Sequence, residues 1–354
     1  MVEQLRVGLT CDFATDGAGL LDEVLPQVFG GVRGLLYETM PSCGPAVAPD
    51  QLNRYDAVVA LLVPFTMDSL AGVERPAVIA RWGVGYDMID VQACTSHDIA
   101  LCITPGAVRR PVAEAVVTLM LSLAKQLVIK DRLIRAGRWS EKTRYVGRGL
   151  QGRVLGCIGM GNIGRELLRL LAPFGMAQPL VFDPYITEEQ ARAAGGSLVG
   201  LDTLLREADF VTVNCPLTPE TRRLIGAREL ALMKPTSYLI NTARGPIVDQ
   251  AALTQALQAG RIAGAALDVF EHEPIAPNDP LLLLENVILT PHAIAWTEEL
   301  ARDNGLLACR SVLSVLQGHV PAGVVNREVL DRAGFVAKLE MLRERWQQLG
   351  NPPA

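Results

Sequence analysis

Residues 153–164 read Arg153-Val-Leu-Gly-Cys-Ile-Gly159-Met-Gly161-Asn162-Ile163-Gly164, and this stretch decides the fold. An apolar run, Val154 to Ile158, ends directly in G-x-G-x-x-G, and Asn162 onward has a helical pattern. In a strand–turn–helix unit the first glycine allows a tight turn. The second lets backbone approach a pyrophosphate, and the third lets helix pack closely on strand. The free N–H groups of the helix start, with their partial positive charge, suit an anion. A second apolar run, Pro179 to Phe182, ends in Asp183, nineteen residues beyond Gly164. An acid at that place accepts the hydroxyls of an adenosine ribose and repels a 2′-phosphate, which favours NAD over NADP.

Working outward, residues 138–293 repeat the strand–helix alternation. Candidate strands are Val154–Ile158, Leu180–Asp183, Phe210–Asn214, Ser237–Asn241, Ala263–Val269 and Val287–Leu289. Such alternation implies a parallel sheet with crossover helices. Upstream, 5–10, 56–63, 77–81 and 101–105 read as strands and 20–28 as a helix, a smaller α/β unit of its own. Arg109 to Gly137 reads as one long helix with Pro111 near its start, where proline is tolerated. Glu298 to Leu316 reads as an amphipathic helix, and chain order suggests a return to the first domain. In Gly334 to Ala354, Phe335, Leu339, Leu342, Trp346 and Leu349 recur at helical spacing. That face docks either on its own domain or on another subunit.

Composition narrows the function classes. A chain of 354 residues with 49% hydrophobic and 20% charged residues builds two ordinary domains with real cores. A net charge of -5 gives no reason to expect nucleic acid or an anionic membrane as partner. The opening MVEQLRVGLTCDF is not patterned as a signal peptide, and no apolar run reaches membrane-spanning length. The seven cysteines, Cys11, Cys43, Cys94, Cys102, Cys157, Cys215 and Cys309, contain no C-x-x-C pair and read as reduced core residues of a cytoplasmic protein. The four histidines are scattered, and no metal is expected.

Three stretches at candidate strand ends could carry chemistry. Asn241-Thr242-Ala243-Arg244-Gly245 places a guanidinium, suited to bidentate carboxylate binding, where a strand stops. Asp268-Val-Phe-Glu-His-Glu273-Pro274 places acids at another strand end, and Leu289-Thr-Pro-His292 places a histidine after a third. Behind a dinucleotide fingerprint they amount to an anion clamp, an orienting acid and a proton carrier, the set needed to transfer hydride to a ketone. The glycines of RWGVGYDMID, 81–90, serve either a tight turn or close approach of main chain to a ligand. Arg109 and Arg110 form a basic pair, which is either a solvated helix start or a contact for a second anionic group.

With these motifs in place, the sequence resembles the D-isomer-specific 2-hydroxyacid dehydrogenase family from about Leu5 to about Val329. The matching pieces are RWGVGYDMID, TPGAVRRPVAEAV, GMGNIG, VFDPY, NCPLTPETRRLIG, MKPTSYLINTARGPIVD, ALDVFEHEP and LTPHAIAWT. The resemblance implies two Rossmann-like or flavodoxin-like parallel-sheet domains with an active-site cleft between them. A discontinuous substrate-binding domain would comprise 1–104 plus 294–354, and an NAD-binding domain 105–293. It implies Arg244, Glu273 and His292 as catalytic residues. Gly159, Gly161, Asn162, Ile163, Gly164, Asp183, Cys215, Pro216, Thr221, Thr242, Ala243 and Asp268 would bind the cofactor. The main-chain amides of Val84 and Gly85, with Arg244 and His292, would bind substrate. It further implies a homodimer joined through the cofactor domain.

The expected activity is interconversion of a small 2-oxo acid and its 2-hydroxy acid, with NAD as cofactor and His292 as acid and base. The competing expectation is an NADH-sensing binding protein, similar to a corepressor, on the same scaffold. A C–N bond-forming or hydrolytic enzyme with a structural NAD would need more lysine or cysteine chemistry. Two departures from the family pattern stand out. Ala293-Ile294-Ala295-Trp296 replaces the glycine that often follows the histidine, and Arg109-Arg110 stands where many relatives are uncharged. Trp82, where a phosphite-type lysine would be sought, argues against the formate and phosphite branches. Substrate selectivity is expected in first-domain loops such as Val63 to Asp68.

Overall fold

The computed structural model describes residues 2–41 and 44–352. By contacts the chain divides into two compact units, Met1–Val108 with Thr297–Ala354, and Arg109–Trp296. Both are α/β units, each built on one all-parallel sheet.

In the second unit seven strands are β6 (Leu155–Ile158), β7 (Leu180–Phe182), β8 (Ser197–Leu198), β9 (Phe210–Val213), β10 (Tyr238–Asn241), β11 (Gly264–Leu267) and β12 (Val287–Leu289). In the first unit five strands are β1 (Leu5–Leu9), β2 (Leu35–Thr39), β3 (Ala57–Ala60), β4 (Val78–Arg81) and β5 (Ala100–Cys102). The orders are β12-β11-β10-β9-β6-β7-β8 and β2-β1-β3-β4-β5. Strand order reverses at β6, the place where open parallel sheets take ligands at their carboxyl edge. β6, β9, β10 and β11 are buried along their whole length, as central strands covered by helices on both faces must be. One core cluster gathers Leu205, Val211, Leu239 and Ile247, and another Val116, Leu119, Cys157 and Ile240.

The expected single helix from Arg109 to Gly137 is two, Pro105–Lys125 and Leu127–Arg135. Gln126 between them is left-handed, with φ +52°, and this breaks the hydrogen-bond ladder. Pro111 therefore lies inside the first helix rather than near its start. No single helix is long and apolar enough to cross a membrane. The helix pair passes such a test only together, across a 59° bend. Ala113, Val116, Leu119, Met120 and Leu123 of the first helix are buried in the core of its own unit. The cysteine expectation needs one correction: Cys11 is disulfide-bonded, while Cys94, Cys102, Cys157, Cys215 and Cys309 are free. Cys43 lies outside the described residues.

The C-terminal segment is bound into the first unit by buried polar contacts as well as by apolar packing. Asn326 Nδ2 donates to Ile99 O and its Oδ1 accepts from Leu101 N, which ties the segment to β5. On the last helix, Ala333–Gln348, Phe335, Leu339, Leu342 and Trp346 are buried. Arg345 joins Arg75 in donating to the buried carboxylate of Asp56. Lys338 Nζ donates to the carbonyls of Pro76, His97 and Asp98 at 2.8–3.2 Å. Burial pulls its pKa down to about 8 against the pull of Asp98 and Glu74. The face of this helix thus docks on the first unit.

Lys338→Met keeps the apolar stem but leaves three carbonyls without their donor. It is expected to lower stability by about 1–3 kcal/mol. Chemical denaturation should show this as a lower midpoint with an unchanged slope.

Candidate active site

Three neighbouring strands deliver three side chains. In the parallel register Asn241 at the end of β10 pairs with Leu267 of β11, and Leu267 with Leu289 of β12. The loops that follow therefore leave the sheet side by side. Beyond β10, Asn241 folds the chain back. Its Nδ2 donates to Arg244 O at 2.9 Å and its Oδ1 accepts from Ala243 N at 3.0 Å. Arg244 NH1 donates to Ala243 O at 2.7 Å. A Cβ at Gly245 would sit 1.9 Å from the carbonyl carbon and oxygen of Phe270, so only glycine lets the arginine loop lie against the loop after β11.

The loop after β11 carries Glu273. Phe270 N donates to its Oε1 at 2.9 Å, and His292 Nδ1–H donates to its Oε2 at 2.7 Å. With Nδ1 so engaged, Nε2 is the ring nitrogen left to face a reactant. His292 itself adopts φ +53°, the left-handed region a non-glycine residue occupies at a cost of about 1 kcal/mol. The buried carboxylate of Asp268 holds that turn. Its Oδ1 accepts from Thr290 Oγ1 at 2.7 Å, Ala293 N at 3.1 Å and Ile294 N at 3.2 Å. Asp268 was singled out in the sequence as a cofactor contact. The described bonds of its carboxylate all serve the histidine loop.

Charge follows from these contacts. Burial pushes the Glu273 carboxyl up, but the bond and charge of His292, the Phe270 amide and Arg244 outweigh it, and the net shift is downward. Asp268 goes the other way. Burial raises it further than Thr290, the loop amides and His292 lower it. Burial also pushes the Cys215 thiol up to about 11, so it is a neutral packing group and no nucleophile. Among the described residues no group of three or more His, Cys, Asp or Glu side chains could hold a metal ion.

The glycine-rich turn suits a dinucleotide. Gly159 has φ +90°, and a Cβ there would meet Cys215 N at 2.7 Å; one at Gly164 would meet Gly159 O at 2.6 Å. Nothing lies within 4 Å of the corresponding point at Gly161, which leaves the start of the helix Asn162–Leu171, with Asn162 and Ile163, open to a ligand. Asp183 follows β7. Its two oxygens accept from Met160 N at 2.8 Å and Tyr185 N at 2.9 Å, which aims the carboxylate beside the turn. On the far side of β6, Thr221 Oγ1 donates to Pro216 O at 2.7 Å and accepts from Thr218 N at 2.7 Å, shaping the loop after β9. Thr242 and Ala243 stand in the Asn241 turn. The donor set and the open second glycine fit NAD.

In the first unit Val84 and Gly85 lie in the half-buried turn after β4. Thr104 pins that turn at both main-chain polar groups of Gly83. Its N–H donates to Gly83 O at 3.0 Å, and its Oγ1 accepts from Gly83 N at 2.9 Å. Thr104 Oγ1 in turn donates to the buried Asn304 Oδ1 at 2.5 Å. Sequence reading missed Thr104, Asn304, Asn241 and Thr290 as parts of the framework. Their partners lie up to 200 positions away, and although Thr104, Asn241 and Thr290 stand inside recognised motifs, Asn304 stands in none. Of the basic pair, Arg110 is engaged by Glu114 and, at 3.2 Å, by Glu166, and Arg109 is exposed.

Comparison with known proteins gives a consistent picture. The model of the D-isomer specific 2-hydroxyacid dehydrogenase NAD-binding domain matches residues 117–293. A glyoxylate reductase of Korarchaeum cryptofilum is 39% identical over 285 residues, 79% of this chain and 86% of that protein. A D-3-phosphoglycerate dehydrogenase of Methanocaldococcus jannaschii is 42% identical over 262 residues, 74% of this chain but 49% of that longer protein. Among solved structures, a D-lactate dehydrogenase of Aquifex aeolicus complexed with NAD and lactic acid superposes with a TM-score of 0.78. It is 26% identical, covering 92% of this chain and 97% of that one. These named relatives are oxidoreductases, in line with the enzyme expectation rather than with the corepressor-like one.

The carboxylates offer a direct check by side-chain NMR titration. Glu166, held by Arg169 and Arg110, is expected to ionise at about 2, and Glu273 below the ordinary glutamate value. A depressed carboxylate contributes stability that is complete above its unfolded pKa and is lost as pH falls through the folded one. In His292→Ala only burial and the weaker partners remain at Glu273, so its titration should move upward. An unchanged titration would show that the imidazole does not govern it.

Proposed function

Because the chain belongs to the D-isomer specific 2-hydroxyacid dehydrogenase family, NAD-dependent oxidoreductases acting on the CH–OH group of 2-hydroxy acids, we propose that Arg244, Glu273 and His292 are its catalytic residues. NAD, when bound, supplies or accepts the hydride at the substrate's C2. Gly159, Gly161, Asn162, Ile163, Gly164 and Asp183 hold its pyrophosphate and ribose end. Cys215, Pro216, Thr221, Thr242, Ala243 and Asp268 lie along the rest.

In this reading Arg244 and the main-chain amides of Val84 and Gly85 hold the substrate carboxylate. A guanidinium fork and fixed amides match its planar charge. Arg244 and protonated His292 polarise the C2 carbonyl, and stabilising charge as it develops on oxygen lowers the barrier. His292 delivers a proton from Nε2 to that oxygen during reduction and takes it back during oxidation. Glu273 fixes the tautomer and favours the charged ring. The observation that carries the reading is the 2.7 Å bond from His292 Nδ1 to a carboxylate itself held by a main-chain amide. That pair leaves one ring nitrogen aimed and available.

We also read the protein as a homodimer joined through the second unit. The support is a run of exposed apolar side chains within 127–146 of that unit: Leu127, Ile134, Trp139 and Val146. An isolated monomer seldom leaves so many large apolar groups together in water.

Two experiments follow. His292→Ala should lose about a hundredfold or more in kcat with NADH and glyoxylate. Glu273→Gln should lower kcat with little change in KM, since the carboxylate that orients the imidazole is gone. Near-normal turnover of the histidine variant would eliminate the assigned role. Sedimentation should find a dimer, converted to a monomer by Ile134→Asp with Trp139→Asp. A double variant with the parent's sedimentation would place the interface elsewhere.

A further inference from the structure

The first unit separates its charges by edge. Its strands are parallel, so every carboxyl end opens on the same edge of the sheet. The segments leaving those ends are 10–16, 40–48, 61–66, 82–88 and 103–108. They contain no lysine, arginine or histidine, and three acids, Asp12, Asp16 and Asp87. Four cationic or titratable side chains precede the strands, at the other edge. Arg33 precedes β2, Arg54 precedes β3, Arg75 precedes β4 and His97 precedes β5. Arg6, in β1, pairs with Glu38. Arg81, the last residue of β4, is 7% exposed and folded back against Gly83, where a Cβ would meet its NH1 at 2.0 Å. Arg302, on the helix Glu298–Leu316, is paired with Asp303.

The carboxyl edge is also built to stay this way. Asp12 is 7% exposed. It accepts from Thr10 Oγ1 at 2.5 Å, Leu62 N at 2.6 Å and Val63 N at 3.0 Å, so a buried acidic side chain holds the loop after β3. What that edge exposes is apolar or acidic: Leu62 and, just beyond it, Met67 are open to solvent, as are Asp16 and Asp87. The proposed carboxylate contacts there are main-chain amides, which serve one anion without supplying a full positive charge.

Resting on the assignment of Val84 and Gly85 to substrate, we infer that the substrate is a 2-oxo monocarboxylate whose remaining substituent is small and uncharged. A second anion, phosphate or carboxylate, would meet segments that hold acids and no lysine, arginine or histidine, beside an Arg81 already folded back against Gly83. Like-charge placement of this kind disfavours binding, and an anion taken from water without a partner is disfavoured further. The inference separates the two activities carried by the most similar relatives. It favours a glyoxylate- or hydroxypyruvate-type acid over a phosphorylated one, which sequence identity alone leaves level.

The test compares acids that differ by one charge. With NADH, kcat/KM for hydroxypyruvate should exceed that for 3-phosphohydroxypyruvate by about a hundredfold or more, and pyruvate should exceed oxaloacetate likewise. Leu62→Arg should narrow the first ratio at least tenfold, mainly through KM for the phosphorylated acid. Equal or better use of 3-phosphohydroxypyruvate by the parent enzyme would overturn the inference. If none of these acids is reduced, the catalytic reading fails on its own account. Calorimetry of the NAD-loaded protein then still decides the charge question: D-glycerate binding more tightly than D-3-phosphoglycerate upholds it, and the reverse order sinks it.

Discussion

Hydrogen bonding of β10, β11 and β12 in parallel register is the constraint on which the candidate site depends. Three strands side by side release their loops at one level, so a guanidinium, a carboxylate and an imidazole separated by almost fifty positions arise from adjacent points. Each loop is then locked by the next. The missing side chain of Gly245 admits the backbone of Phe270. The Phe270 amide fixes one oxygen of Glu273, and the other oxygen fixes His292. Asp268 closes the circuit by holding the turn from which His292 projects. A shift of one residue between β10 and β11 would point every one of these groups elsewhere.

The same arrangement accounts for the balance of charge. Left alone, burial would favour neutral Glu273, and a neutral partner would neither orient nor charge the ring. The bond and charge of the imidazole, with the Phe270 amide and Arg244, hold the carboxylate in the ionised form. Asp268, five positions nearer the strand end and more deeply buried, is pushed the opposite way. Its neighbours on the described oxygen are a hydroxyl and two amides rather than a cation, so it acts on the backbone. Two acids five positions apart thus divide the labour, one serving the reacting group and one its scaffold.

Much of this was legible in the sequence because it is local. The fingerprint glycines, Asp183 and the three strand-end motifs declare themselves within short windows, and the central strands are unbroken apolar runs. What escaped depends on distant partners or lacks a pattern. β2 is an edge strand whose Leu35–Thr39 is largely exposed, and β8 is two residues long, so neither carries the periodicity of a buried strand. The break at Gln126 rests on a left-handed residue inside an otherwise helical run. Thr104 and Asn304 meet across two hundred positions, and nothing in either neighbourhood announces the other. The disulfide at Cys11 was equally invisible, because spacing alone does not pair cysteines.

The two units also differ in how their residues are ordered along the chain. The second is one unbroken stretch, whereas the first is interrupted and completed only by Asn304, Asn326, Lys338 and Arg345. On the ribosome the amino-terminal half of the first unit emerges earliest, yet it waits for the last to be translated before its polar sockets are filled. The later-emerging stretch has all its own contacts by the time Trp296 is out, so it can settle first. Synthesis and maturation therefore run in opposite order for the two halves of this enzyme, and a nascent chain stalled just after Trp296 has left the ribosome would carry a finished nucleotide domain beside an unfinished partner.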